Sequence, residues 1–266
     1  SWHFIVGIIN CFGKVFDLKQ VKKYRKKNMN TTIIDTVRKR LTESIDAKVL
    51  ATSAHFFKEG EQAKVYGVRM GEVSGIAKES WQEVKGESKP DIFQLCEQLW
   101  QSGFLEEAVV ACEWAYRSRG NYEPCDIETF EHWLKSYVDN WGACDTLCNH
   151  TIGTFVEMFP EYISRLKEWA KSDNRWMRRG AAVTLIIPAR KGLFLDDIME
   201  IATTMMMDRD DMVQKGYGWM LKAASEAHCN EIFDFVTKHR SAMPRTAYWY
   251  ALEKMPKDMR AEAMKK

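Results

Sequence analysis

The sequence predicts an all-α protein, a HEAT-like repeat α-solenoid of antiparallel helix pairs. From Thr31 onward apolar residues recur at intervals of three and four, and no segment alternates apolar and polar residues over the length of a strand. The amphipathic segments are separated by turns of only a few residues, which indicates antiparallel neighbours. Trp141, Arg179 and Trp219 follow one another at intervals of 38 and 40 residues, within the range of paired-helix repeats of the HEAT type.

Eleven segments each predict one amphipathic helix. They cover residues 33–41, 92–103, 106–118, 127–138, 141–159, 162–172, 176–190, 195–207, 211–227, 230–240 and 244–255. Two helix starts, at 172–174 and 208–211, carry side chains that can cap unpaired backbone amides. Residues 54–79 contain four glycines and predict a loop, either a turn where the backbone approaches something closely or an ordinary surface connection. A linker is predicted at 84–91.

Size and composition indicate a compact protein. The chain has 266 residues, enough to bury a large core without disulfides or metals. Six prolines and 15 glycines argue against long flexible linkers, and no apolar run approaches the roughly 20 residues that a membrane span needs. The seven cysteines are odd in number and lie mostly within apolar periodic segments, so we expect reduced core residues in a cytoplasmic protein.

The first 28 residues differ in charge from the rest of the chain. They carry seven lysines and arginines against one aspartate, whereas the formal charge of the whole chain is only +2. Met29 precedes a helical pattern and looks like a natural initiator, so we expect a poorly ordered upstream extension at 1–28 and a single domain at 29–266. A targeting segment and a nucleic-acid-binding tail built on KKYRKK are the alternatives for the extension.

Trp141 and Asp145 are four residues apart and therefore share one face of a helix. Since Leu147, Cys148 and Ile152 fill the core side, the pair must lie towards an edge or a groove. A carboxylate beside an indole is partly desolvated and can face a cation with little water between them, which suits stabilisation of developing positive charge. The alternative is an aspartate that caps the helix beside a core tryptophan.

Later helices carry basic and aromatic side chains at comparable positions. They are Trp176, Arg179, Lys215, Trp219, Arg245 and Trp249. Because the second helix of each pair lines the inner surface of such a stack, these residues predict a concave basic and aromatic groove. Arginine suits phosphate through its planar fork of donors, and a surface salt bridge is the alternative for the Arg178–Arg179 pair. Gly216 and Gly218 indicate close packing near Trp219, by a ligand or by another helix.

No metal site or hydrolytic triad is predicted. Cys144, Cys148 and His150 are close in sequence, but no second cluster completes four ligands with standard spacing. The remaining histidines are scattered, and no known motif places a nucleophile beside them. We therefore expect a protein without a metal or another cofactor.

Three motifs occur in register along the chain: NWGACDTL, LKEWAKSDNRWMRRGAAV and VQKGYGWMLKAAS. Together they resemble the DNA alkylation repair proteins of the AlkD type, which are HEAT-like-repeat DNA glycosylases. The likeness spans about residues 30 to 255 and is most specific between about 140 and 222. Three separated motifs in order are stronger evidence than any one of them.

The resemblance implies a monomeric, monofunctional glycosylase that acts on double-stranded DNA containing alkylated bases. Members of this family hydrolyse the N-glycosidic bond of cationic alkylpurines, such as 3-alkyladenine and 7-alkylguanine, without flipping the base into a pocket. By motif position Asp145 matches the catalytic aspartate, while Trp141 and Trp219 match the tryptophans that contact the deoxyribose of the lesion. Arg179 matches the arginine that holds the DNA backbone near the lesion.

Further DNA contacts are expected with less detail. Arg178 occupies a position that the family does not fix and has a supporting phosphate role, and Lys215 and Arg245 belong to the groove that the repeat spacing predicts. The loop VYGVRMGEV loosely matches the N-terminal loop by which the family approaches DNA, which makes Tyr66 and Arg69 candidate contacts.

The chemistry of the lesion agrees with a single catalytic carboxylate. Alkylation at a ring nitrogen gives the purine a formal positive charge, so the base can leave without protonation by a general acid. The enzyme must mainly stabilise an oxocarbenium-like sugar and position water, and one carboxylate can do both. Neutral damage such as uracil should then be a poor substrate. The main alternative is a catalytically silent HEAT-repeat module that binds DNA structures or a protein partner.

Overall fold

The computed structural model describes residues 32–53, 57 and 64–265, and over these residues the protein is an all-α solenoid. The expected extension at 1–28 lies outside the described residues. No strand is formed within the described ranges, where a single isolated bridge joins Lys64 to Phe104. Within the same ranges no helix is both long and apolar enough to cross a membrane.

Sixteen α-helical segments follow one another along the described chain. They are α1 (32–43), α2 (Ala47–Ser53), α3 (Met70–Val84), α4 (Lys89–Trp100), α5 (Leu105–Arg117), α6 (Asp126–Ser136), α7 (Trp141–Thr146), α8 (Gly153–Met158), α9 (Ile163–Trp169), α10 (Arg175–Val183), α11 (Ile186–Arg190), α12 (Leu195–Thr204), α13 (Asp211–Ala224), α14 (Cys229–Lys238), α15 (Arg245–Leu252) and α16 (Lys257–Ala263). Short 3-10 turns lie at Arg119–Asn121 and Pro160–Tyr162. All eleven predicted helices are present.

The helices pack in pairs, and the second helices of successive pairs contact one another in one continuous row. Helix α4 packs on α5, α9 on α10, α12 on α13 and α14 on α15, while α6 packs on the segment that follows α7. In the row of second members α5 contacts α7, α7 contacts α10, α10 contacts α13, and α13 contacts α15. Every predicted site residue from position 141 onward lies on this row. The repeat interval read from the sequence is therefore the spacing of neighbouring helices in one layer.

Two of the predicted helices are not regular α-helices throughout. Between α7 and α8 the chain continues as a π-helix, Leu147–Ile152, so residues 141–158 form one continuous helical element. A π-helical turn carries a wider backbone ring than an α-turn and is frequent near functional sites; here it begins two residues after Asp145. The predicted helix 176–190 divides into α10 and α11, because Pro188 has no N–H to donate to Thr184 and its ring crowds that carbonyl.

The predicted helix caps are confirmed. The side chain of Asn174 accepts a hydrogen bond from the Trp176 N–H, and the Asp210 carboxylate accepts from the N–H groups of Met212 and Val213. These bonds satisfy backbone donors that have no partner within the helix. They also define where α10 and α13 begin, and so set the position of the next turn, which carries Arg179 in α10.

The loop predicted at 54–79 is wrong in its second half. Helix α3 begins at Met70, because Val73, Ile76 and Ala77 continue an apolar spacing that is buried against α5. Gly71 and Gly75, which suggested a loop, have nothing within 4 Å of an added Cβ. Burial of the apolar face outweighs the cost of two glycines, about 1 kcal/mol each. The predicted linker at 84–91 is a turn that ends at Ser88, which caps α4.

The expectation of a close backbone approach is confirmed at Gly67. Its φ is +83°, and a Cβ there would lie 2.6 Å from the Cβ of Leu50 in α2. A positive φ favours glycine, and this contact brings the segment before α3 against α2. Helix α2, which has no buried residue, and the short α16 were not predicted from the sequence.

Gly218 shows that tight helix packing explains at least one of the two glycines near Trp219. Replacing Gly218 by alanine should destabilise the protein by roughly 1–3 kcal/mol, a typical cost of overpacking. The added Cβ would lie 2.8 Å from the Cβ of Tyr250 and 2.9 Å from the carbonyl oxygen of Ala247, both in α15. Urea denaturation measures the change. The control is Gly75→Ala, for which we expect a gain of about 0.5–1 kcal/mol because the site is open; equal effects of the two changes would contradict the packing of α13 on α15.

Candidate active site

The candidate site begins at the first turn of α7. Asn140 caps this helix by accepting a hydrogen bond from the Ala143 N–H at 2.9 Å. Trp141 and Asp145 follow on one face, and both are largely but not completely buried. The alternative in which Asp145 is the helix cap is therefore excluded, because Asn140 fills that position. The two side chains are available to line a site.

Asp145 forms a two-point ion pair with Arg179 of α10. The Nε of Arg179 donates to Oδ1 and its Nη2 donates to Oδ2, both at 2.8 Å. The Nη1 donates to the carbonyl oxygen of Met212, at the start of α13. The Arg179 side chain is only 6% exposed and that of Asp145 is 13% exposed. A paired fork of this kind fixes the orientation of the carboxylate as well as its charge.

Gly216 makes room for this arginine. A Cβ on Gly216 would lie 3.3 Å from the Cγ of Arg179 and 3.5 Å from its Nη1. The contact with Cγ is tighter than most Cβ atoms make, so a larger residue at this position would press on the Arg179 side chain. Gly216, three residues before Trp219, thus leaves space for the Arg179 side chain of the Asp145–Arg179 pair.

Burial and pairing act on the two charges in opposite directions. Burial raises the pKa of Asp145 above its ordinary value, and the hydrogen bonds and charge of Arg179 oppose that rise. For Arg179, burial acts to lower the pKa, but Asp145 outweighs it and the pKa is raised. The arginine therefore stays charged, and the carboxyl group needs a less acidic solution than an ordinary aspartate to be fully ionised.

A cavity of about 450 Å³ lies beside the pair. Trp141 and Asp145 of α7 line it together with Trp219 of α13, so the structure brings the three candidate catalytic residues to one space. The other walls come from α2, α5 and the segment before α3. Their side chains are mainly apolar and include Val49, Phe57, Val65, Val68, Leu105 and Val109. The sequence pattern contained no sign of this cavity.

Two adjacent glutamates that the sequence analysis missed hold one wall of the cavity. The carboxylate of Glu106 accepts hydrogen bonds from the backbone N–H groups of Tyr66, Gly67 and Val68, at 2.8 to 3.2 Å. Glu107 accepts from the guanidinium of Arg38 and from the Tyr66 hydroxyl. Both glutamates are 1% exposed. In the sequence they looked like ordinary acidic residues in the first turn of a helix, which is a common arrangement.

The predicted DNA contacts near the amino terminus have protein partners. Tyr66 stacks on Phe104 with ring centroids 4.2 Å apart, and its pKa is raised by burial and by the hydrogen bond to Glu107. Arg69 is exposed, lines the cavity and pairs with Asp46 at 2.7 Å. Of the two, Arg69 has a side chain that a large ligand could reach. Contact of either residue with DNA stays a prediction.

The remaining basic candidates lie along the row of second helices. Arg178 pairs with Asp208 at 2.6 Å and also donates to the carbonyl oxygens of residues 172 and 173, so the salt-bridge alternative holds for this arginine. Lys215 pairs with Asp211 one turn earlier in α13. Arg245 is exposed, with its guanidinium carbon 6.0 Å from the centroid of the Trp249 ring. The structure does not bring these three residues to the cavity, and their role on DNA stays a prediction.

Cys144 and Cys148 take part in packing. Both are fully buried, and the Sγ of Cys144 donates to the carbonyl oxygen of Trp176 at 3.7 Å. A Cβ on Gly180 would lie 3.2 Å from the Sγ of Cys148, which shows how closely α10 approaches this part of the chain. The two thiols therefore help to seat α10, and with it Arg179, against α7.

Comparison with known proteins gives two kinds of match. The sequence model of the family described as DNA alkylation repair enzyme matches residues 37–255. A solved structure titled as a predicted DNA alkylation repair enzyme from Enterococcus faecalis is similar with a TM-score of 0.71, at 16% sequence identity, over 80% of this chain and 98% of that one. Pseudomonas fluorescens alkylpurine DNA glycosylase AlkC, bound to DNA containing an abasic site analog, has a TM-score of 0.46 and 15% identity, over 86% of this chain and 64% of that one. No curated protein matches the chain.

The two kinds of match support different conclusions. At 16% identity the Enterococcus faecalis structure shows a shared fold, which agrees with the helical stack described above. The family match covers all the elements of the site, from Arg38 in α1 to the end of α15. Because this match takes in well over half of the sequence, the chain belongs to the family of DNA alkylation repair enzymes.

Proposed function

We propose that this protein is a DNA glycosylase that releases cationic alkylpurines, 3-alkyladenine and 7-alkylguanine, from double-stranded DNA. The observation that carries the proposal is the carboxylate of Asp145, held by Arg179 at the wall of a cavity that Trp141 and Trp219 also line. Membership of the DNA alkylation repair family supports alkylated DNA as the substrate. We expect the protein to act as a monomer without a metal or another cofactor.

Asp145 would act on the sugar of the damaged nucleotide. As the bond between C1′ and the purine nitrogen breaks, its electron pair goes to the purine and neutralises the positive ring. The sugar becomes oxocarbenium-like, and an ionised carboxylate at close range stabilises this charge most effectively where water is excluded. A water molecule then bonds to C1′ and gives its proton to the carboxylate or to solvent.

The two indoles and the ion pair support this step in different ways. Faces of tryptophan rings attract cations, so Trp141 and Trp219 favour the charged lesion and the charged sugar. Arg179 holds both carboxylate oxygens in place before the reaction, so little reorganisation is needed as charge develops. Arg179 has five N–H donors, of which three are used within the protein, and the resemblance implies that it also contacts the DNA backbone.

Release of free base from alkylated DNA tests the proposal directly. Duplex DNA treated with a methylating agent is incubated with the protein, and the free 3-methyladenine and 7-methylguanine are quantified by chromatography. Binding to the same duplex is measured in parallel, because a silent DNA-binding module would bind with similar salt dependence. If neither base appears under conditions where the protein binds DNA, the glycosylase proposal is lost. Uracil-containing and oxidised duplexes serve as neutral controls and should show little release.

The excision rate should fall as the pH is lowered. The fall should begin at a higher pH than it would if the catalytic group had the pKa of an ordinary aspartate. Only the ionised form of Asp145 can stabilise the sugar cation, and burial raises the pKa of this group. The acid limb of the rate profile should therefore lie above pH ~4, the usual value for aspartate. Single-turnover rates on a 7-methylguanine duplex, corrected for spontaneous depurination, give the profile, and circular dichroism at each pH confirms the fold. An acid limb at or below pH ~4 would argue against the assignment.

A further inference from the structure

A second pocket lies next to the cavity on the same row of helices. Its volume is about 150 Å³, and it lies between α5 and the helical element that begins with α7. The lining residues are Cys112, Glu113 and Tyr116 of α5, Thr146 of α7, and His150 of the π-helical segment. Thr146 also lines the larger cavity, so the two spaces are neighbours. The chemistry proposed for Asp145 uses none of these five side chains.

Tyr116 and His150 bring polar groups to this pocket. Their rings are in contact, with centroids 5.6 Å apart and planes inclined by 57°. His150 is exposed and Tyr116 is partly exposed. Within the described part of the chain the contacts of these two side chains are made by their rings, and neither the Tyr116 hydroxyl nor a ring nitrogen of His150 forms a hydrogen bond. These groups are therefore available to a ligand.

The charges beside the pocket suit an anion. The one carboxylate in the lining, that of Glu113, pairs with Arg117 at 3.2 Å. A second arginine, Arg119, lies with its guanidinium carbon 4.4 Å from the centroid of the Tyr116 ring, and its Nη1 donates to the Tyr116 carbonyl oxygen at 3.2 Å. Arg119 is exposed, and the planar fork of a guanidinium matches the oxygens of a phosphate. An exposed arginine held over the Tyr116 ring is thus placed to bind a phosphate at the pocket.

The pocket lies at a suitable distance from the candidate catalytic carboxylate. His150 is five residues after Asp145 in the continuous helical element 141–158. At about 1.5 Å per residue, the two positions are separated by roughly 7 Å along the axis of this element. Each strand of a DNA duplex carries a phosphate about every 3.4 Å along the duplex. A duplex with its lesion at Asp145 therefore has flanking phosphates at a comparable distance from the lesion.

We propose that Tyr116, Arg119 and His150 form a second anchoring site, which binds a DNA phosphate beside the lesion nucleotide. This inference deepens the proposed function and rests on it, because it takes the lesion to lie at Asp145. The Tyr116 hydroxyl, an N–H of Arg119 and a ring N–H of His150 donate to the phosphate oxygens. Contacts of this kind fix the position of a duplex on a protein without reading its sequence. Free phosphate has the same chemistry, and the place of the pocket beside the candidate active site favours a phosphate of DNA.

Two variants remove donors from the site while keeping much of the side-chain shape. Arg119→Met and His150→Phe should each raise the Kd for a lesion-containing duplex by roughly three- to tenfold, the usual effect of one lost hydrogen bond. Arg119→Met should also lower the slope of the salt dependence by about one unit. Fluorescence anisotropy measures both effects, and circular dichroism confirms the fold. Unchanged Kd values for both variants would overturn the inference.

The matched controls change the same residue types on the first helices of other pairs. His132→Phe lies in α6 and Arg165→Met lies in α9, and the two side chains are 50% and 41% exposed. The His132 ring also contacts a tyrosine, with its centroid 5.3 Å from that of Tyr137. Both controls should leave the Kd unchanged. An equal loss of affinity in the controls and in the site variants would contradict a local contact at the pocket.

Substitutions in the DNA locate the phosphate. Duplexes carry 7-methylguanine on a 2′-fluorinated sugar, which resists cleavage, and one uncharged methylphosphonate at successive positions on either side of the lesion in each strand. At the contacted position the methylphosphonate should weaken binding of the wild-type protein but not weaken binding of Arg119→Met further, because that variant has already lost the contact. If every position affects the two proteins equally, the pocket does not hold a phosphate of DNA. Competition by inorganic phosphate without any such position would assign the pocket to free phosphate and would also overturn the inference.

Base release from a methylated duplex separates this inference from the proposed function. Release by the wild-type protein, together with equal methylphosphonate effects on both proteins, would remove the phosphate site and leave the glycosylase proposal standing. Absence of release, together with a position at which the two proteins differ, would remove the glycosylase proposal and leave the phosphate site as part of a DNA-binding module.

Discussion

Asp145→Asn should reduce the release of 7-methylguanine by roughly 10²–10³-fold, the usual cost of losing one electrostatic group in a transition state. The asparagine keeps the size of the side chain but loses the charge that stabilises the sugar cation. Its amide nitrogen would also face the guanidinium of Arg179, so one of the two 2.8 Å hydrogen bonds is lost. Single-turnover excision measures the effect, and fluorescence anisotropy shows that binding to undamaged duplex is retained.

A second aspartate provides the matched control for this change. Asp139 is also half-buried and lies two residues before α7, where it accepts a hydrogen bond from the side chain of Asn140 at 2.8 Å. It does not line the cavity with Asp145. Asp139→Asn should therefore leave excision nearly unchanged. If both substitutions lower the rate to the same extent, or if Asp145→Asn keeps most of the wild-type activity, the carboxylate of Asp145 has been assigned wrongly.

Arg179→Met should destabilise the protein by roughly 3–5 kcal/mol, since it leaves a buried carboxylate without its charge partner. The side chain is almost completely buried and donates to Asp145 and to the carbonyl oxygen of Met212. Urea denaturation measures the loss. Adding Asp145→Asn to this variant should recover part of it, because the unpaired charge is removed and only the packing defect remains. A double variant as unstable as the sum of the single variants would contradict the pairing.

The neighbouring arginine is the control for Arg179. Arg178 has the same chemistry but its side chain is 20% exposed and pairs with Asp208 rather than with the site. Arg178→Met should cost the protein less stability and should not change the acid limb of the excision profile. The salt dependence of binding adds a separate measurement, because each lost phosphate contact lowers its slope by about one unit. A lower slope for Arg179→Met alone would support the backbone contact that the resemblance implies.

Helical periodicity predicted most of the fold because each apolar stripe reports which face of a helix is buried. The same reasoning failed at α3, where Gly71 and Gly75 suggested a loop. Both glycines lie where an added Cβ meets nothing, so they say nothing about the buried face. The apolar residues Val73, Ile76 and Ala77 carried the helical signal, but the nearby glycines obscured it.

The candidate site was predictable only in part. The spacing of Trp141 and Asp145 indicates a shared helix face, and the repeat interval places Arg179 on the next helix of the same row. The sequence does not predict that Arg179 points at Asp145 rather than at solvent, because the side chain lies beside Gly216 of a third helix only once α10 and α13 have packed together. Tertiary contacts likewise determine which of the two adjacent arginines faces Asp145, because Arg178 pairs with Asp208 instead.

The cavity and its buried glutamates could not be predicted from any local pattern. Glu106 and Glu107 are ordinary helix-start residues in sequence, yet each binds a segment about 40 or 70 residues earlier. The walls of the cavity come from α2, α5, α7, α13 and the segment before α3. Packing between elements so far apart in the chain determines both the volume of the cavity and the loss of water around its charges.

By itself the sequence determined that the protein is an all-α stack of helix pairs and that its candidate catalytic residues share one row of helices, because helix periodicity and repeat length are local properties. Tertiary structure alone decided that Asp145 and Arg179 form a buried pair, that Glu106 holds a cavity wall, and that this cavity lies beside the carboxylate. Burial and pairing of charges depend on distance in space, which helix-helix packing sets and residue spacing does not.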